Sequence, residues 1–288
     1  MSVEKLKNLP SDIYNLFNPD NDHVVNEDNL NCFSENVKEL LRQRLRKQPE
    51  SSDRPIRFSS LGKPDRQVWF DAHPEPGTKE KLLPKTYLKF LYGDIIEQLL
   101  VLLCKEAGYA VEDTQMKVEI DGVTGSLDAV VNGVVVDFKS ASPFGYKKFE
   151  TNTIIQDDPF GYVYQLAGYS TLVKPGQDAA WIANDKVGGD ICVTPLPAVV
   201  IKHYSPSERI KHLKEVVSRD TPPPLCYQPI PDGKSGNLKL PTPCSYCVHK
   251  FRCHPGLRTF IYSTGPRYLT KVVKTPDVPE VKGSYYTD

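Results

Sequence analysis

Apolar residues recur along the chain with two different periods, one typical of helices and one typical of strands. Helical periods predict four helices, over residues 34–48, 84–107, 157–173 and 207–219. Pro84 and Pro159 stand where a first helical turn accepts proline, and Gly108 stands where a helix ends. Strand-like segments lie between these helices, over 109–120, 127–139, 178–186 and 190–205. The order of these elements predicts a mixed α/β core.

The helix predicted over 34–48 has two different faces. Ser34 is its predicted cap, and its apolar stripe consists of Val37, Leu40, Leu41 and Leu45. The opposite face is basic and carries Lys38, Arg42, Arg44 and Arg46. A solvated amphipathic face is the simpler interpretation, and a contact with DNA is the alternative.

Composition divides the chain into four predicted parts. Residues 1–57 are an N-terminal helical extension, and residues 58–220 are the core. Residues 221–264 are rich in proline, glycine and cysteine, so we expect a loop-dominated module there. Residues 265–288 show little pattern and are predicted to be an extended tail.

The stretch LDAVVNGVVVDFK, residues 127–139, carries the clearest local signal. Asn132-Gly133 is typical of a two-residue type I′ turn, which sets Asp128 opposite Asp137. Alternation then gives two faces. The apolar core face consists of Leu127, Ala129, Val131, Val134, Val136 and Phe138. The other face consists of Ser126, Asp128, Val130, Val135, Asp137 and Lys139.

Two carboxylates placed opposite each other repel, so the pairing of Asp128 with Asp137 indicates a cation between them. Mg²⁺ and Mn²⁺ are the natural partners for carboxylate oxygens. Lys139 lies on the same face and is suited to polarising a hydroxide or a phosphate oxygen. The alternative is a solvent-facing hairpin with two ordinary aspartates and a lysine.

Bulk composition is that of a globular protein, with 39% hydrophobic residues and a formal net charge of zero. A neutral chain has no overall field that attracts a polyanion, so a nucleic-acid contact would need a local basic patch. The N-terminus lacks the apolar core of a signal peptide, and the longest apolar run, 99–104, is too short to span a membrane. We therefore expect a cytoplasmic protein whose seven cysteines are thiols or metal ligands.

The hairpin, with GSLD followed eight residues later by DFK, resembles the PD-(D/E)XK nuclease superfamily. Two further stretches resemble the RecB-type branch of that superfamily. QLAGY supplies Gln165 and Tyr169, and YGDIIEQLL supplies Glu97 on the helix before the hairpin. FSSLGKPDRQVWFD, residues 58–71, is also similar, so the resemblance covers about residues 58–256. It implies a restriction-endonuclease-like core, a central mixed sheet flanked by helices, followed by a C-terminal cysteine-rich metal-binding module.

The resemblance also implies how the carboxylates act. Asp128 and Asp137 would bind Mg²⁺ or Mn²⁺, together with the backbone carbonyl of Phe138. Lys139 would position the attacking water and stabilise the transition state. Glu97 would bind a second metal ion or its water.

Gln165 and Tyr169 lie four residues apart in the helix predicted over 157–173, so both can reach one site. The resemblance implies that they orient the scissile phosphate. Residues 140–150, SASPFGYKKFE, follow Lys139 directly and mix aromatic with basic side chains. They are compatible with a contact to a DNA backbone or an unstacked base, and equally with a plain surface loop.

A second metal site is indicated by CSYCVHKFRC, which places Cys244, Cys247 and Cys253 in a C-x₂-C-x₅-C spacing. The same spacing closes the iron–sulfur cluster of RecB-type nucleases, including the CRISPR-associated exonucleases. Pro64 stands at about the place where those proteins carry their upstream cysteine. That departure leaves both Zn²⁺ and a [4Fe–4S] cluster open.

Cys226 is the favoured fourth ligand of this cysteine module, with His249 and His254 as alternatives. Its expected role is structural, because a bound metal can hold together a segment with few apolar residues. Scattered free thiols are the alternative. The remaining cysteines, interpreted as ordinary thiols, are Cys32, Cys104 and Cys192.

The resemblance implies a phage-like, metal-dependent DNA exonuclease that hydrolyses phosphodiester bonds in recombination, replication or DNA degradation. No G-x-x-x-x-G-K-[ST] motif of a helicase occurs in the sequence. The expected partners are DNA ends and a recombinase or single-strand-binding protein, and no membrane. The alternatives are an endonuclease of the same fold, an inactive DNA-binding or scaffolding subunit, and an interaction protein that works through its cysteine module. Polarity, strand preference and oligomeric state stay open.

Overall fold

The computed structural model describes residues 3–46, 56–80 and 82–281. The chain divides into two compact units. In the described ranges the first unit comprises residues 3–46, 57–62 and 87–211. The second comprises Ile56 and residues 63–80, 82–86 and 212–281. Each unit therefore combines segments that are far apart in the sequence.

Helices and strands alternate along the described chain. The helices are α1 (Leu9–Asn15), α2 (Glu27–Leu45), α3 (Asp65–Ala72), α4 (Pro84–Glu106), α5 (Pro143–Glu150), α6 (Tyr162–Val173), α7 (Ala198–Ile201), α8 (Pro206–Val217), α9 (Thr242–Tyr246) and α10 (Lys250–Cys253). The strands are β1 (Val111–Glu112), β2 (Met116–Ile120), β3 (Val123–Leu127), β4 (Ala129–Val131), β5 (Val134–Ala141), β6 (Ala179–Asp185), β7 (Ile191–Leu196), β8 (Ile230–Pro231), β9 (Leu238–Lys239), β10 (Arg258–Tyr262), β11 (Gly265–Lys271) and β12 (Glu280–Val281).

A mixed sheet with the order β1-β4-β5-β6-β7 forms the centre of the first unit. β5 and β6 run parallel, and the other neighbouring pairs are antiparallel. β2 and β3 form a separate two-stranded sheet. Helices contact both faces of the central sheet. The predicted mixed α/β architecture, with a mixed sheet flanked by helices, is confirmed.

One face of this sheet packs against α4 and the N-terminal segment. Its buried side chains include the predicted apolar face of the hairpin except Leu127. They lie with Leu6, Leu9 and Ile13 from the N-terminus and with Leu100, Val101 and Cys104 from α4. The prediction that residues 1–57 are an extension of the core misses this contribution. Only a few apolar residues of this segment, among them Leu6, Leu9 and Ile13, are buried, while others such as Phe17 and Val24 are exposed, so composition alone does not reveal the contribution.

The opposite face of the sheet is buried as well. Val130 and Val135 are inaccessible to solvent, and Phe149 of α5 meets Trp181 of β6 edge-on with ring centroids 6.0 Å apart. The hairpin β4–β5 is thus internal, with β1 on one side and β6 on the other. A solvent-facing hairpin is excluded, so its charged residues need a different explanation.

Two predicted helices begin at other residues than expected. α2 begins at Glu27 instead of residue 34, because the side chain of Asn26 accepts hydrogen bonds from the N–H groups of Asp28 and Asn29. Ser34 is an interior residue whose hydroxyl donates to the carbonyl of Asn31. The last two residues of that prediction, 47 and 48, lie outside the described residues. α6 begins at Tyr162 instead of residue 157, because hydrogen bonds to the Asp158 carboxylate hold the preceding residues in a turn.

No residue of α2 is fully buried, so its predicted apolar stripe is at most half-buried. Its basic face pairs with carboxylates, in the ion pairs Lys38–Glu35, Arg42–Glu39 and Arg44–Asp94. Polar contacts also join α2 to α4, for example Asn36 Nδ2 to Gln98 Oε1 at 3.1 Å. These pairs favour the solvated-face interpretation.

The other helix predictions agree more closely with the structure. α4 and α8 match the predictions over 84–107 and 207–219 to within two residues at each end. Residues 140–150, for which a surface loop was considered, form the end of β5 and helix α5. Tyr146 and Phe149 of α5 are buried, so this segment is part of the core on that side.

In the described parts of the chain no helix is both long and apolar enough to cross a membrane.

The second unit contains an antiparallel sheet with the order β12-β10-β11-β9-β8. Leu240, Leu257 and Tyr268 form one buried cluster, and Trp69, Phe70 and Val216 form another. The expected loop-dominated module therefore contains short strands and helices. The expected tail begins with strand β11, which pairs with β10, and its last residues, 282–288, lie outside the described residues.

Candidate active site

The predicted β-turn of the hairpin is confirmed. Asn132 and Gly133 both have positive φ, 46° and 80°, as a type I′ turn requires. Val131 pairs with Val134 and Val130 pairs with Val135, in the predicted register.

The ladder ends one pair earlier than predicted, at Ala129 and Val136. Asp128 lies between β3 and β4, so it is not part of a strand pair. Instead its Oδ2 accepts a hydrogen bond from the backbone N–H of Phe138, at 2.9 Å. The strand bends at this residue, because β3 pairs with β2 while β4 pairs with β5. The bend brings the Asp128 carboxylate across to β5.

Asp137 and Lys139 form an ion pair within β5. Lys139 Nζ lies 2.5 Å from Asp137 Oδ2, and Asp137 is only 2% exposed. Among the described residues, this Oδ2 atom accepts no hydrogen bond of ordinary geometry. Lys139 Nζ also lies 4.7 Å from the ring centroid of Tyr162, a cation–π contact. Asp137 is therefore a buried carboxylate whose charge is balanced in this conformation by Lys139.

Glu97 joins this site from α4. Its Oε1 accepts hydrogen bonds from Gln115 Nε2 at 2.5 Å and from Gln98 Nε2 at 3.5 Å. Gln115 is itself held by Ser126, whose Oγ lies 3.0 Å from Gln115 Oε1. Gln115 is a site residue that the sequence analysis missed, since a lone glutamine in a turn carries no recognisable signal.

Electrostatics couple the three carboxyl groups. Burial and the charge of Asp137 raise the pKa of Glu97 to about 7. Burial, followed by the charges of Asp137 and Glu97, raises the pKa of Asp128 well above its ordinary value. Burial likewise raises the pKa of Asp137, although Lys139 lowers it in part. One ammonium group thus faces three carboxyls, which leaves a surplus of two negative charges when all three are ionised.

The ammonium group itself stays charged. Burial lowers the pKa of Lys139, but the carboxylates of Asp137 and Asp128 outweigh burial and set it above its ordinary value. A lysine held in this way is a permanent positive charge at neutral pH. It can stabilise negative charge that develops on a neighbouring oxygen.

Tyr169 forms the inner wall of the site. It is 2% exposed and stacks on Phe58, with ring centroids 4.6 Å apart and planes inclined by 10°. Burial raises the pKa of its hydroxyl, while hydrogen bonds with the Gln165 side chain and the Ser126 backbone lower it. The hydrogen bond between the two side chains lets Tyr169 orient Gln165. Gln165 is the more exposed of the two, so it is the residue that can approach a substrate.

Phe58 explains two glycines in the stretches GSLD and QLAGY. A Cβ atom on Gly125 would lie 2.5 Å from Phe58 Cβ, and one on Gly168 would lie 2.8 Å from Phe58 Cε1. Both distances are shorter than real contacts, so only glycine leaves room for the ring. The Phe58 ring is thus the support on which Tyr169 rests.

Asp158 fixes the start of α6. Its carboxylate accepts hydrogen bonds from the N–H groups of Phe160, Gly161 and Val163. These bonds hold residues 158–161 as a turn, which is why the helix begins at Tyr162 instead of residue 157. The charge of Asp158 also raises the pKa of Asp137, so Asp158 borders the site. From the sequence, this stretch was predicted only as the first turn of the helix.

The structure brings all six predicted site residues together, as their hydrogen bonds and mutual pKa shifts record. They are Glu97, Asp128, Asp137, Lys139, Gln165 and Tyr169. In this conformation, however, no group of three or more His, Cys, Asp or Glu side chains within the described ranges is arranged to hold a metal ion. Two of the carboxylate oxygens are instead engaged, by Lys139 Nζ and by the Phe138 N–H.

The four predicted thiols of the cysteine module interact electrostatically in the second unit, although no three of them are arranged to hold a metal ion in the described part of the chain. Burial, followed by the charges of Cys247, Cys253 and Cys226, raises the pKa of Cys244 to about 12. Such charge effects act only over short distances, so the four sulfur atoms share one neighbourhood. The structure shows all of them as free thiols.

Hydrogen-bond donors surround the sulfur atoms of this module. The backbone N–H groups of Arg66 and Gln67 bond to Cys226, and that of His249 bonds to Cys247. Arg66 Nε also donates to Cys253 Sγ, at 3.2 Å. Donors of this kind stabilise thiolates, the form of cysteine that binds metal.

The two alternative ligands of the module differ in their availability. His249 Nε2 is bonded to Asp71 Oδ1 at 2.9 Å, while its Nδ1 is buried and has no hydrogen-bond partner among the described residues. His254 is half-buried, and burial followed by the charge of Arg66 lowers its pKa. Cys226, in contrast, receives two backbone donors and interacts with the other thiols.

No family model matches this chain, and no curated protein matches it. Among solved structures, the chain is similar to one described as "Crystal structure of SSO0001". The sequence identity is 15%, the TM-score is 0.39, and the match covers 77% of this chain and 94% of that one. A TM-score of this size carries no argument about activity, so a function has to be inferred from the site.

Proposed function

We propose that this chain is a metal-dependent deoxyribonuclease with a PD-(D/E)XK core of the RecB type, acting on DNA ends in the cytoplasm. One observation carries the proposal: one buried and two half-buried carboxyl groups, all with raised pKa values, share a site with one lysine. Perturbed titratable groups that converge in this way are typical of catalytic sites.

The donor set fits Mg²⁺ or Mn²⁺. Asp128, Asp137 and Glu97 supply hard carboxylate oxygens, and the carbonyl of Phe138 follows Asp137 directly in β5. A divalent cation carries the two positive charges that offset the surplus negative charge of the site. Asp137 is the most deeply buried of the three carboxylates, so it has most to gain from such an ion.

A bound divalent ion lowers the pKa of a coordinated water and stabilises charge on a phosphate. The protein supplies the remaining chemistry. Lys139 holds its proton and places a positive charge where negative charge develops on the scissile phosphate. Glu97 Oε2 is the carboxyl oxygen suited to accept a proton near neutral pH, since Gln115 and Gln98 both bond to Oε1. Gln165, oriented by Tyr169, is placed to hold the phosphate.

The cysteine module is proposed as a structural metal site with Cys226, Cys244, Cys247 and Cys253 as ligands. Cys226 bonds to N–H groups in the first turn of α3, two to three residues after Pro64. It therefore lies near the place where RecB-type nucleases carry their upstream cysteine, and it compensates for Pro64. Four thiolates accommodate Zn²⁺ or a [4Fe–4S] cluster.

An inactive DNA-binding subunit would be the alternative if the site no longer worked. A protein that had lost catalysis would have no reason to keep three carboxyls close together beside one lysine, because the repulsion between the carboxyls lowers stability. An endonuclease of the same fold shares this site, and only the mode of cutting separates it from an exonuclease.

The proposal is tested by digesting end-labelled linear DNA and closed circular DNA with Mg²⁺ or Mn²⁺. The variants are Asp137→Asn and Lys139→Met, which keep the side-chain size. Asp178→Asn is the matched control, since Asp178 accepts an N–H bond from Ala198 at the other end of β6. The wild type and the control should degrade linear DNA, and both site variants should lose at least about 100-fold in rate.

Three results decide between the candidates. Loss of linear but not circular DNA supports the exonuclease, and cutting of circles supports the endonuclease. If the folded wild type cleaves neither DNA with either metal, the nuclease proposal fails and the DNA-binding alternative replaces it.

A further inference from the structure

A cavity of about 410 Å³ opens on the first unit beside the candidate active site. It is lined by Lys89, Tyr92, Ile95 and Ile96 from α4 and by Lys186 from the turn after β6. Its volume falls within the range of small-ligand sites, which is about 300–1,000 Å³. Its walls are apolar apart from the two lysines and the tyrosine hydroxyl.

The two lysines give the cavity a positive rim. Lys89 and Lys186 are exposed, and neither forms an ion pair within the described ranges. The nearby Asp94 does not offset them, because it is paired with Arg44 at 2.5 Å. The rim is therefore complementary to an anion such as a phosphodiester.

Tyr92 supplies an aromatic surface between these charges. It is 48% exposed, although large aromatic side chains are usually buried where a partner is available. It forms no ring contact with another aromatic side chain of the described residues. Ile96, four residues further along α4, forms the apolar floor and packs on the core of the unit. A flat aromatic ring above an apolar floor is suited to a nucleobase.

Two structural elements are shared by the cavity and the candidate active site, helix α4 and strand β5. Ile96 precedes Glu97 in α4, so Tyr92 and Glu97 are separated by about 7.5 Å along the helix axis. Gly93 faces Ser140, the residue after Lys139, and a Cβ atom on Gly93 would lie only 3.3 Å from Ser140 Oγ. Five helical residues correspond to a rotation of about 140°, so the cavity and Glu97 lie on different flanks of the same stretch of α4.

Lys186 is fixed at the same edge of the sheet. Its backbone N–H donates to the carbonyl of Ala141, at 3.1 Å, where the parallel strands β5 and β6 end side by side. Crevices at the carboxyl ends of parallel strands are common ligand sites. A strand that runs from the cavity to Lys139 would therefore follow this edge.

We propose that this cavity binds one unpaired nucleotide of single-stranded DNA close to the candidate active site. Its base stacks on Tyr92, and its flanking phosphates contact Lys89 and Lys186. A role of this nucleotide in cleavage rests on the proposed nuclease function. The binding of single-stranded DNA by the cavity does not depend on that function. It assigns single-stranded DNA, or the frayed single-stranded end of a duplex, as the substrate.

The single-strand preference follows from geometry. A base inside a duplex has both faces covered by its neighbours, so it cannot stack on a protein ring without leaving the helix. An unpaired base exposes its faces, and stacking on an aromatic side chain then costs no unpairing energy. The cavity therefore distinguishes single-stranded from double-stranded DNA without any base-specific hydrogen bond.

Binding is measured separately from cleavage. Fluorescently labelled oligothymidylate and a duplex of equal length are titrated with Asp137→Asn protein in Ca²⁺, so that DNA is not degraded. In that background Tyr92→Ala should weaken binding to the single strand about 5- to 150-fold and to the duplex less than about twofold. Tyr87→Ala is the matched control, since Tyr87 lies on the same helix, is 58% exposed and does not line the cavity.

The contribution of the base is isolated with an oligonucleotide of abasic sites. If Tyr92 stacks on a base, the abasic strand should bind with equal affinity to the Tyr92→Ala protein and to the protein that retains Tyr92. The lysines are tested by salt dependence: Lys89→Ala and Lys186→Ala should each reduce the slope of log K against log salt by about 0.7. Lys202→Ala, at an exposed lysine outside the cavity, should leave the slope unchanged.

The outcomes separate the two proposals. If the wild type cleaves DNA but Tyr92→Ala binds the single strand as Tyr87→Ala does, the cavity inference is wrong and the nuclease proposal stands. If single-strand binding depends on Tyr92 and no metal supports cleavage, the nuclease proposal fails and the binding site stands. Equal losses for the single strand and the duplex would overturn the assignment of single-stranded DNA.

Discussion

Nζ of Lys139 lies 2.5 Å from Oδ2 of Asp137, two residues away on the same buried strand. The charges of this pair shift the pKa values of Glu97 and Asp128, and Asp128 in turn raises the pKa of Lys139. One lysine cannot neutralise three carboxyls. The metal-free protein therefore holds some of them protonated near neutral pH, at a cost to its stability as the pH rises.

Stability without metal should fall as the pH rises from about 5 to about 7. The pKa of Glu97 is about 7 in the folded protein and 4.5 for an unperturbed glutamate, so between these values the folded state binds more protons than the unfolded state. The free energy of unfolding then decreases with pH, by about 3 kcal/mol for this residue alone. Asp128 and Asp137 act in the same direction. Urea unfolding in EDTA at pH 5, 6, 7 and 8 measures the change.

Glu97→Gln is the control for this pH dependence. Glutamine keeps the size of the Glu97 side chain but cannot ionise, so the slope between pH 5 and 7 should become smaller. A wild-type protein whose stability is constant or increases over this window would contradict the raised pKa of Glu97.

Divalent metal should reverse the pH dependence. Mg²⁺ or Mn²⁺ competes with protons for Glu97, Asp128 and Asp137, so binding releases protons and becomes tighter as the pH rises. The rise in melting temperature on adding Mn²⁺ should be larger at pH 8 than at pH 6. In Asp137→Asn the rise should nearly disappear at both pH values. An equal metal-induced rise in wild type and variant would place the ion elsewhere.

The sequence predicted the parts of the site that depend on local pattern. Asn132-Gly133 determined the turn and the register of the hairpin, and the register brought Asp137 and Lys139 onto one face. Glu97 and Gln165 followed from a resemblance of short motifs on elements whose positions were predicted. Patterns of this kind act over a few residues, which is why sequence alone could reveal them.

Contacts between distant segments were not predictable in the same way. Gln115 reaches Glu97 across 18 positions of sequence, and Asp158 closes a turn that shortens α6. Neither residue type signals its partner. The glycines in GSLD and QLAGY were visible in the sequence, but their cause was not, because the Phe58 ring that excludes a side chain lies more than 60 residues away. Tertiary packing determined these features.

Gly168→Ala should destabilise the protein although alanine favours helices. Its Cβ atom would lie 2.8 Å from Cε1 of the fully buried Phe58, so overpacking costs about 1–3 kcal/mol and outweighs the gain of up to about 1 kcal/mol from helix propensity. Gly145→Ala is the matched control. Gly145 is also helical, and its nearest neighbouring atom would lie 3.5 Å from a Cβ, so that substitution should be neutral or stabilising.

A double-mutant cycle identifies Phe58 as the cause of the Gly168→Ala effect. In a Phe58→Leu background the smaller side chain leaves room, so Gly168→Ala should cost at least about 1 kcal/mol less than in wild type. The measurement is the free energy of unfolding from denaturant titration. Additive effects of the two substitutions would show that the strain arises elsewhere.

Cys226→Ser should remove the metal of the cysteine module as completely as Cys244→Ser does. The backbone donors from Arg66 and Gln67 and the interaction with Cys244 place Cys226 in the thiol cluster. Cys192→Ser is the matched control, because Cys192 belongs to β7 in the first unit and interacts with Thr194. Elemental analysis of protein purified without oxygen gives the zinc and iron content, and visible absorption distinguishes an iron–sulfur cluster from zinc.

His254→Gln completes this test of the fourth ligand. His254 is half-buried in the module, yet burial and the charge of Arg66 lower its pKa, and no thiol contributes to that shift. Full metal content in His254→Gln together with loss in Cys226→Ser would establish four thiolates as the ligand set. The reverse result would make the set three thiolates and one imidazole, which favours zinc because three cysteines and one histidine form a common structural zinc site.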